Sequence, residues 1–174
     1  MKPDKALVTT DSVWALLDTV TDPEIPVVSL REMGILRDVT PNATGFDITL
    51  TPTYSGCPAM DQMVADVENA LRSAEIPGQV RIQLAPAWTT DWMSPSALNK
   101  LRDYGIAPPH TRPASSLQPI GWSIPSTTKP SDPVACPQCG STDTTEISHF
   151  GSTACKALYR CLSCLEPFDY FKPY

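Results

Sequence analysis

Long apolar runs, positive charge and histidine are all scarce in this chain, and each shortage removes a class of function. No apolar stretch approaches the ~18 residues of a membrane span. Met1-Lys2-Pro3-Asp4-Lys5 leads only to Ala6-Leu7-Val8 before Thr9, far short of the apolar region of a signal peptide. Neither membrane insertion nor export is expected, and the chain is assigned to the cytoplasm. Thirteen Lys and Arg stand against nineteen Asp and Glu, a formal charge of -6. Such a field repels phosphate backbones and anionic lipid heads, so the expected partners are proteins or small molecules, with no nucleic acid and no membrane. The two histidines, His110 and His149, offer a cysteine nucleophile no recognisable base. No glycine-rich phosphate loop, nucleotide fingerprint or Glu-x-x-His di-iron set occurs either, and an autonomous enzyme is therefore disfavoured.

Proline is abundant by contrast, with nineteen in 174 residues, about twice the usual ~5%. Seven of them fall in 108–133, separated mostly by small and polar residues without apolar periodicity. That composition cannot bury a core, and it predicts an extended, partly stiff linker over 107–133 in which Leu117, Ile120 and Trp122 are the residues able to dock on a neighbour. The linker divides a first domain over 1–106 from a second over 134–174.

In the first domain Val13, Leu16, Leu17 and Val20 lie at i, i+3, i+4 and i+7 behind a Thr10 or Asp11 cap, which predicts an amphipathic helix over 12–20. Runs over 35–40 and 46–51 flank Pro41-Asn42-Ala43-Thr44-Gly45 and predict a β-hairpin with one buried face. Met60, Met63, Val64, Val67 and Leu71 predict a helix over 58–74 that starts on Pro58. Val80, Ile82 and Leu84 alternate as a third strand, and Ser94 caps a last helix begun by Pro95 and stopped by Gly105. The order α-β-β-α-β-α gives an α+β fold, one small sheet with helices packed on it.

The second domain is organised by Cys136-Pro137-Gln138-Cys139 and Cys161-Leu162-Ser163-Cys164, two C-x-x-C pairs 21 residues apart. Each pair sets two thiolates on one tight turn, and two such knuckles close a tetrahedron around a soft divalent ion. With β-prone stretches at 144–150, 157–159 and 167–171, the layout is that of a three-stranded zinc ribbon. Spacing alone does not separate zinc from iron, but structural zinc is the expectation. All four ligands come from the protein, so no position stays open for a substrate water. Cys155 lies inside the ribbon beside Lys156, as either a small apolar residue in a turn or a functional thiol.

Cys57, between Gly56 and Pro58, is placed just before the second helix, where it reads as a nucleophile, a metal ligand or a plain N-cap. Asp22-Pro23-Glu24-Ile25-Pro26-Val27-Val28-Ser29-Leu30, Met33-Gly34-Ile35 and Thr53-Tyr54-Ser55-Gly56-Cys57-Pro58 resemble the SufT-like iron-sulfur assembly domain family over roughly 8–106. Further stretches resemble one subfamily more closely, the D subunits of the phenylacetyl-CoA epoxidase system. They are Trp88-Thr89-Thr90-Asp91-Trp92-Met93, Tyr104-Gly105-Ile106-Ala107-Pro108-Pro109, residues 150–161 and residues 166–172. Leu165 departs from the pattern, since such knuckles usually have glycine there, as Gly140 is in the first.

The resemblance implies a metal- or cluster-handling Cys57 near Asp22, with Cys155 as a further candidate, and an accessory subunit that matures an oxygenase or reductase. Its partners are then the protein subunits of that epoxidase system, and pairing of two copies of the chain stays open. Two models follow. In one, the chain transiently holds iron or an iron-sulfur cluster for its client; in the other, it only scaffolds the complex.

Overall fold

Thr9 opens the first helix, α1 (Thr10–Leu17), through a capping box: its hydroxyl accepts the Ser12 N–H at 3.2 Å, and Ser12 Oγ accepts the Thr9 N–H at 3.1 Å. The helix thus starts ahead of the cap expected at Thr10 or Asp11. It also ends before Val20, which nevertheless stays buried, because the Thr19 and Val20 N–H groups reach back to Leu16 and Leu17 in a tightened last turn. The computed structural model describes residues 8–110 and 133–174. The proline-rich residues 111–132, with Leu117, Ile120 and Trp122, lie outside the described residues.

The chain divides into two compact units, Met1–Lys100 and Leu101–Tyr174. The first contains a three-stranded sheet in the order β1 (Leu36–Pro41), β2 (Phe46–Leu50), β3 (Gly78–Ile82). The β1–β2 pair is the expected antiparallel hairpin, while β3 runs parallel to β2 with Ile48 beside Val80 and Leu50 beside Ile82. A parallel neighbour needs a long crossover, and α2 (Met60–Ser73) supplies it. Phe46, Ile48 and Leu50 are buried, as are Met60, Met63, Val67 and Leu71 of α2 and Val13 and Leu17 of α1. These apolar faces are the core that the 2.0 and 3.6 periodicities predict.

Two sequence-distant motifs meet in this unit. Trp88 Nε1 donates to the Met33 carbonyl at 3.0 Å, and a short 3₁₀ turn, Thr90–Trp92, follows. Gly34 has φ +69°, and a Cβ built on it would lie 2.6 Å from the Trp92 carbonyl oxygen. Only glycine satisfies both the conformation and the contact. Beyond it, α3 (Pro95–Tyr104) is capped as expected, with Ser94 Oγ accepting the Ala97 N–H at 3.0 Å.

The second unit holds a four-stranded sheet in the order β4-β7-β6-β5, made of β4 (Ile106–Ala107), β5 (Thr144–Ser148), β6 (Lys156–Cys161) and β7 (Pro167–Phe171). The last three strands are the predicted ribbon. The sequence places the residues of β4 at the end of the first domain and the start of the linker, yet Ile106 pairs with Asp169 and Ala107 with Tyr170 in parallel. Ala107 also belongs to the buried cluster of Val134, Cys136, Ala157, Tyr159, Cys161, Phe168 and Tyr170. Burial against the ribbon outweighs the proximity of two prolines.

Candidate metal centre and cysteine sites

The two knuckles are built alike. Cys136 N–H donates to the Ser141 carbonyl at 2.9 Å and Cys161 N–H to the Glu166 carbonyl at 3.0 Å, the same five-residue span in each. The fifth residue of each turn is left-handed, Gly140 at φ +76° and Leu165 at φ +68°. Between them Ser141 Oγ and Ser163 Oγ are 2.8 Å apart, a hydroxyl bridge from knuckle to knuckle. The sulfurs of Cys136 and Cys164 lie 3.8 Å apart and those of Cys139 and Cys161 3.6 Å. All four ligand atoms fall within 4.8 Å of one another. Thiolates at ~2.3 Å from a tetrahedral zinc are separated by about 3.8 Å, so the donor set fits that ion.

Proton chemistry at the cluster points the same way. The Cys164 N–H donated to its sulfur brings Cys161 down to about 6 against the effect of burial, with help from the Ser163 N–H and the Cys164 and Cys139 side chains. At Cys164 the Glu166 N–H works in the lowering direction, but burial and the sulfurs of Cys161, Cys139 and Cys136 push the thiol up to about 12. Four thiols this close cannot all ionise unless a cation sits among them.

The other candidates are not part of this cluster. Among the described residues, the four cysteines are the group of three or more His, Cys, Asp or Glu side chains with metal-binding geometry. Asp22 is buried in the loop after α1, where Oδ1 accepts the Glu24 N–H at 2.8 Å and the Ile25 N–H at 2.9 Å. The motif Asp22-Pro23-Glu24-Ile25 is therefore a turn closed on its own carboxylate. Cys57 is half-buried, and its N–H donates to the Tyr54 carbonyl at 3.1 Å. Its placement as an N-cap is corrected: α2 starts at Met60 with Ala59 as N-cap and no side-chain cap bond. Pro58 begins a turn, closed by the Met60 N–H on the Cys57 carbonyl at 3.3 Å, and so sits before the helix.

Cys155 belongs to the second unit and is buried, with Thr153 Oγ1 3.0 Å from its sulfur. Its neighbour Lys156 is also buried, and the ammonium lies 3.6 Å from Asp169, which also accepts from Ser152 Oγ at 2.7 Å. A Cβ on Gly151 would come within 2.6 Å of the same carboxylate. Sequence reading missed this cluster, since its signal was a lysine and an aspartate in otherwise buried strand positions. It gives Lys156 a carboxylate partner.

Comparison with known proteins defines first a class. Residues 10–84 match a family described as iron-sulfur cluster assembly protein, and residues 123–172 match the PaaD zinc beta ribbon domain. The chain is thus an iron-sulfur assembly domain joined to a zinc ribbon. It is 50% identical over 161 residues, 92% of its length and 90% of the relative's, to an Escherichia coli (strain K12) protein provisionally named as the D subunit of 1,2-phenylacetyl-CoA epoxidase, and it belongs to that family. It is also 37% identical over 98 residues, 55% of its own length and 92% of the relative's, to an Fe-S protein maturation auxiliary factor of Porphyromonas gingivalis. A Bacillus anthracis domain of unknown function, DUF59, is similar over 53% of this chain and 90% of its own, with TM-score 0.49 and 32% identity. No helix among the described residues is long and apolar enough to cross a membrane.

Proposed function

We propose that this chain is an accessory protein of metallocentre assembly that serves the subunits of a 1,2-phenylacetyl-CoA epoxidase. The observation that carries the reading is similarity to the Escherichia coli epoxidase relative across both parts of the chain, the iron-sulfur assembly domain as well as the ribbon. Cys136, Cys139, Cys161 and Cys164 hold a structural zinc, which cross-links the two knuckles and leaves no open coordination position. Cargo is the business of the first unit. Cys57 is the thiol that transiently takes iron or an iron-sulfur cluster, because it is half-exposed and outside the closed four-thiol set. One thiolate cannot hold a cluster, so the remaining ligands come from the client or from a second copy. Asp22 shapes its own loop through its two backbone bonds, and Cys155 is too buried to exchange cargo.

Anaerobic reconstitution of the wild type and Cys57→Ser, followed by iron and sulfide counts and assay of the epoxidase, tests this reading. Cys57 caps no helix and is partly exposed, so the serine variant keeps its thermal transition and still binds the subunits. It leaves the oxygenase system iron-poor or inactive. Full activation by Cys57→Ser would instead establish a scaffold without metal transfer.

A further inference from the structure

Among the described residues β3 is the last strand of its sheet, with β2 on one side and an open edge on the other. Backbone alternation identifies the groups on that edge. Gln83 N–H donates to the Leu50 carbonyl at 2.8 Å, and successive residues of a strand turn their amides to opposite sides. Gln79, Arg81 and Gln83 therefore face β2, Val80 and Ile82 turn N–H and C=O outward, and Leu84 continues the sequence alternation two residues past the end of the strand.

The same three residues are apolar. Val80 and Ile82 stand in register with the buried Ile48 and Leu50, and cover falls away along the strand, from half-buried Val80 to exposed Ile82. Ile82 is 50% exposed and Leu84 57%. Folded proteins normally blunt such an edge with a charge, a proline or a bulge. Here the β2–β3 register is unbroken, and the one charge of the strand, Arg81, is drawn to Asp47 at 3.1 Å beside Gln79. The nearest following proline, Pro86, comes after the open triplet. Because β2 and β3 are parallel, Leu50 and Ile82 end at the same side of the sheet, from which residues 51–56 lead to Cys57. Parallel strands gather ligands at this end.

We infer that the open edge of β3 docks an extended, net basic segment of the client polypeptide, apolar at alternate positions, as an added strand at the Cys57 end of the sheet. The identity of the client rests on the function proposed above. Charge selects the occupant. Residues 1–100 hold thirteen acidic and seven basic side chains, while residues 101–174 hold six of each, so the first unit accounts for the whole -6. A second copy would bring like charge against like, and a basic segment is attracted.

Amide exchange of the full zinc-loaded chain, alone and with purified metal-free epoxidase subunits, is the test. The amides of Val80, Ile82 and Leu84 slow when the subunits are added. Ile82→Lys combined with Leu84→Lys raises the dissociation constant at least about tenfold, as losing a buried interface anchor does. Ile147→Lys, at a comparably exposed apolar residue of β5, leaves it unchanged. If the double lysine variant loses its thermal transition, Ile82→Thr with Leu84→Thr replaces it.

Protection already present in the isolated monomer assigns the edge to the chain itself, and protection that tracks a dimer in sedimentation equilibrium assigns it to a second copy. Either overturns the inference, as does subunit binding that leaves the three amides unprotected or a wild-type chain that binds none of the subunits. Cys57→Ser separates the two layers. If its three amides are protected by the subunits yet it fails to load iron, both the docking edge and the handling thiol stand. If they are protected and it loads iron fully, the docking edge stands and the proposed role of Cys57 falls.

Discussion

At the scale of single residues, the two knuckles pose a matched experiment. Gly140 and Leu165 occupy the same left-handed position in equivalent turns, with φ of +76° and +68°. An L side chain in that region costs about 1 kcal/mol relative to glycine. Leu165 is 59% exposed, so it recovers little of that cost by burial. Leu165→Gly therefore stabilises the second unit by about 1 kcal/mol in denaturant unfolding of the metal-loaded chain. Gly140→Ala loses a similar amount, because nothing lies within 4 Å of the added Cβ and only the backbone conformation is strained. Equal effects of opposite sign would confirm that φ alone is at work, whereas a destabilised Leu165→Gly would mean that the leucine side chain contributes packing at the knuckle.

At the scale of elements, the start of α3 is tied to the loop before β1 by one carboxylate. Glu32 accepts the Ser29 N–H at 2.9 Å, Ser96 Oγ at 2.8 Å and Lys100 Nζ at 2.8 Å, and its own carbonyl accepts the Ser94 N–H at 2.8 Å. Partial burial works to raise the Glu32 carboxyl, but the bonds from Lys100, Ser29 and Ser96 and the Lys100 charge hold it below the ordinary 4.5. A depressed carboxyl contributes stability that is fully present above the unfolded value and is lost as the pH falls through the folded one. Wild type should thus exceed Glu32→Gln near neutral pH by less than about 1 kcal/mol, since the Lys100 pair is solvent-screened. The gap should close below pH ~4.5 in urea titrations, and a pH-independent gap would assign the loss to shape instead of charge.

Periodicity made most elements legible at this scale. The apolar spacing of α2 and the alternation of β2 each report a buried face, and Ser94-Pro95 marks the start of α3 by cap chemistry. What stayed hidden depended on distant partners. A two-residue strand has no period, so β4 is defined only by Asp169 and Tyr170, more than sixty residues away. Pro58 predicts the onset of α2, but the turn over Cys57 to Met60 delays the helix, and no local signal announces it. At the candidate sites, C-x-x-C spacing was enough to assemble four sulfurs. Asp22 is a handling candidate only through the family resemblance, and the two backbone N–H groups that its carboxylate accepts are visible only in the folded loop.

At the scale of the whole molecule, the two units differ in what holds them. The first has a continuous apolar core from α1, α2 and its sheet, with Val13, Leu17, Ile48, Leu50 and Val67 fully buried. The second has a smaller cluster that includes Cys136 and Cys161 themselves, so removing a metal from the thiols also removes the cross-link at one end of its core. Elemental analysis of chain purified without chelator should find one zinc per chain. Chelation should then abolish amide protection in β5, β6 and β7 while β1, β2 and α2 keep theirs. The decisive amides are those of Ile106 and Ala107. They pair with β7, so they should exchange with the ribbon on metal removal, even though the sequence assigns Ile106 to the first domain. Protection that persists at Ile106 after β7 has exchanged would place that residue with the first unit, and simultaneous loss across β1 and β2 would show one cooperative body in place of two.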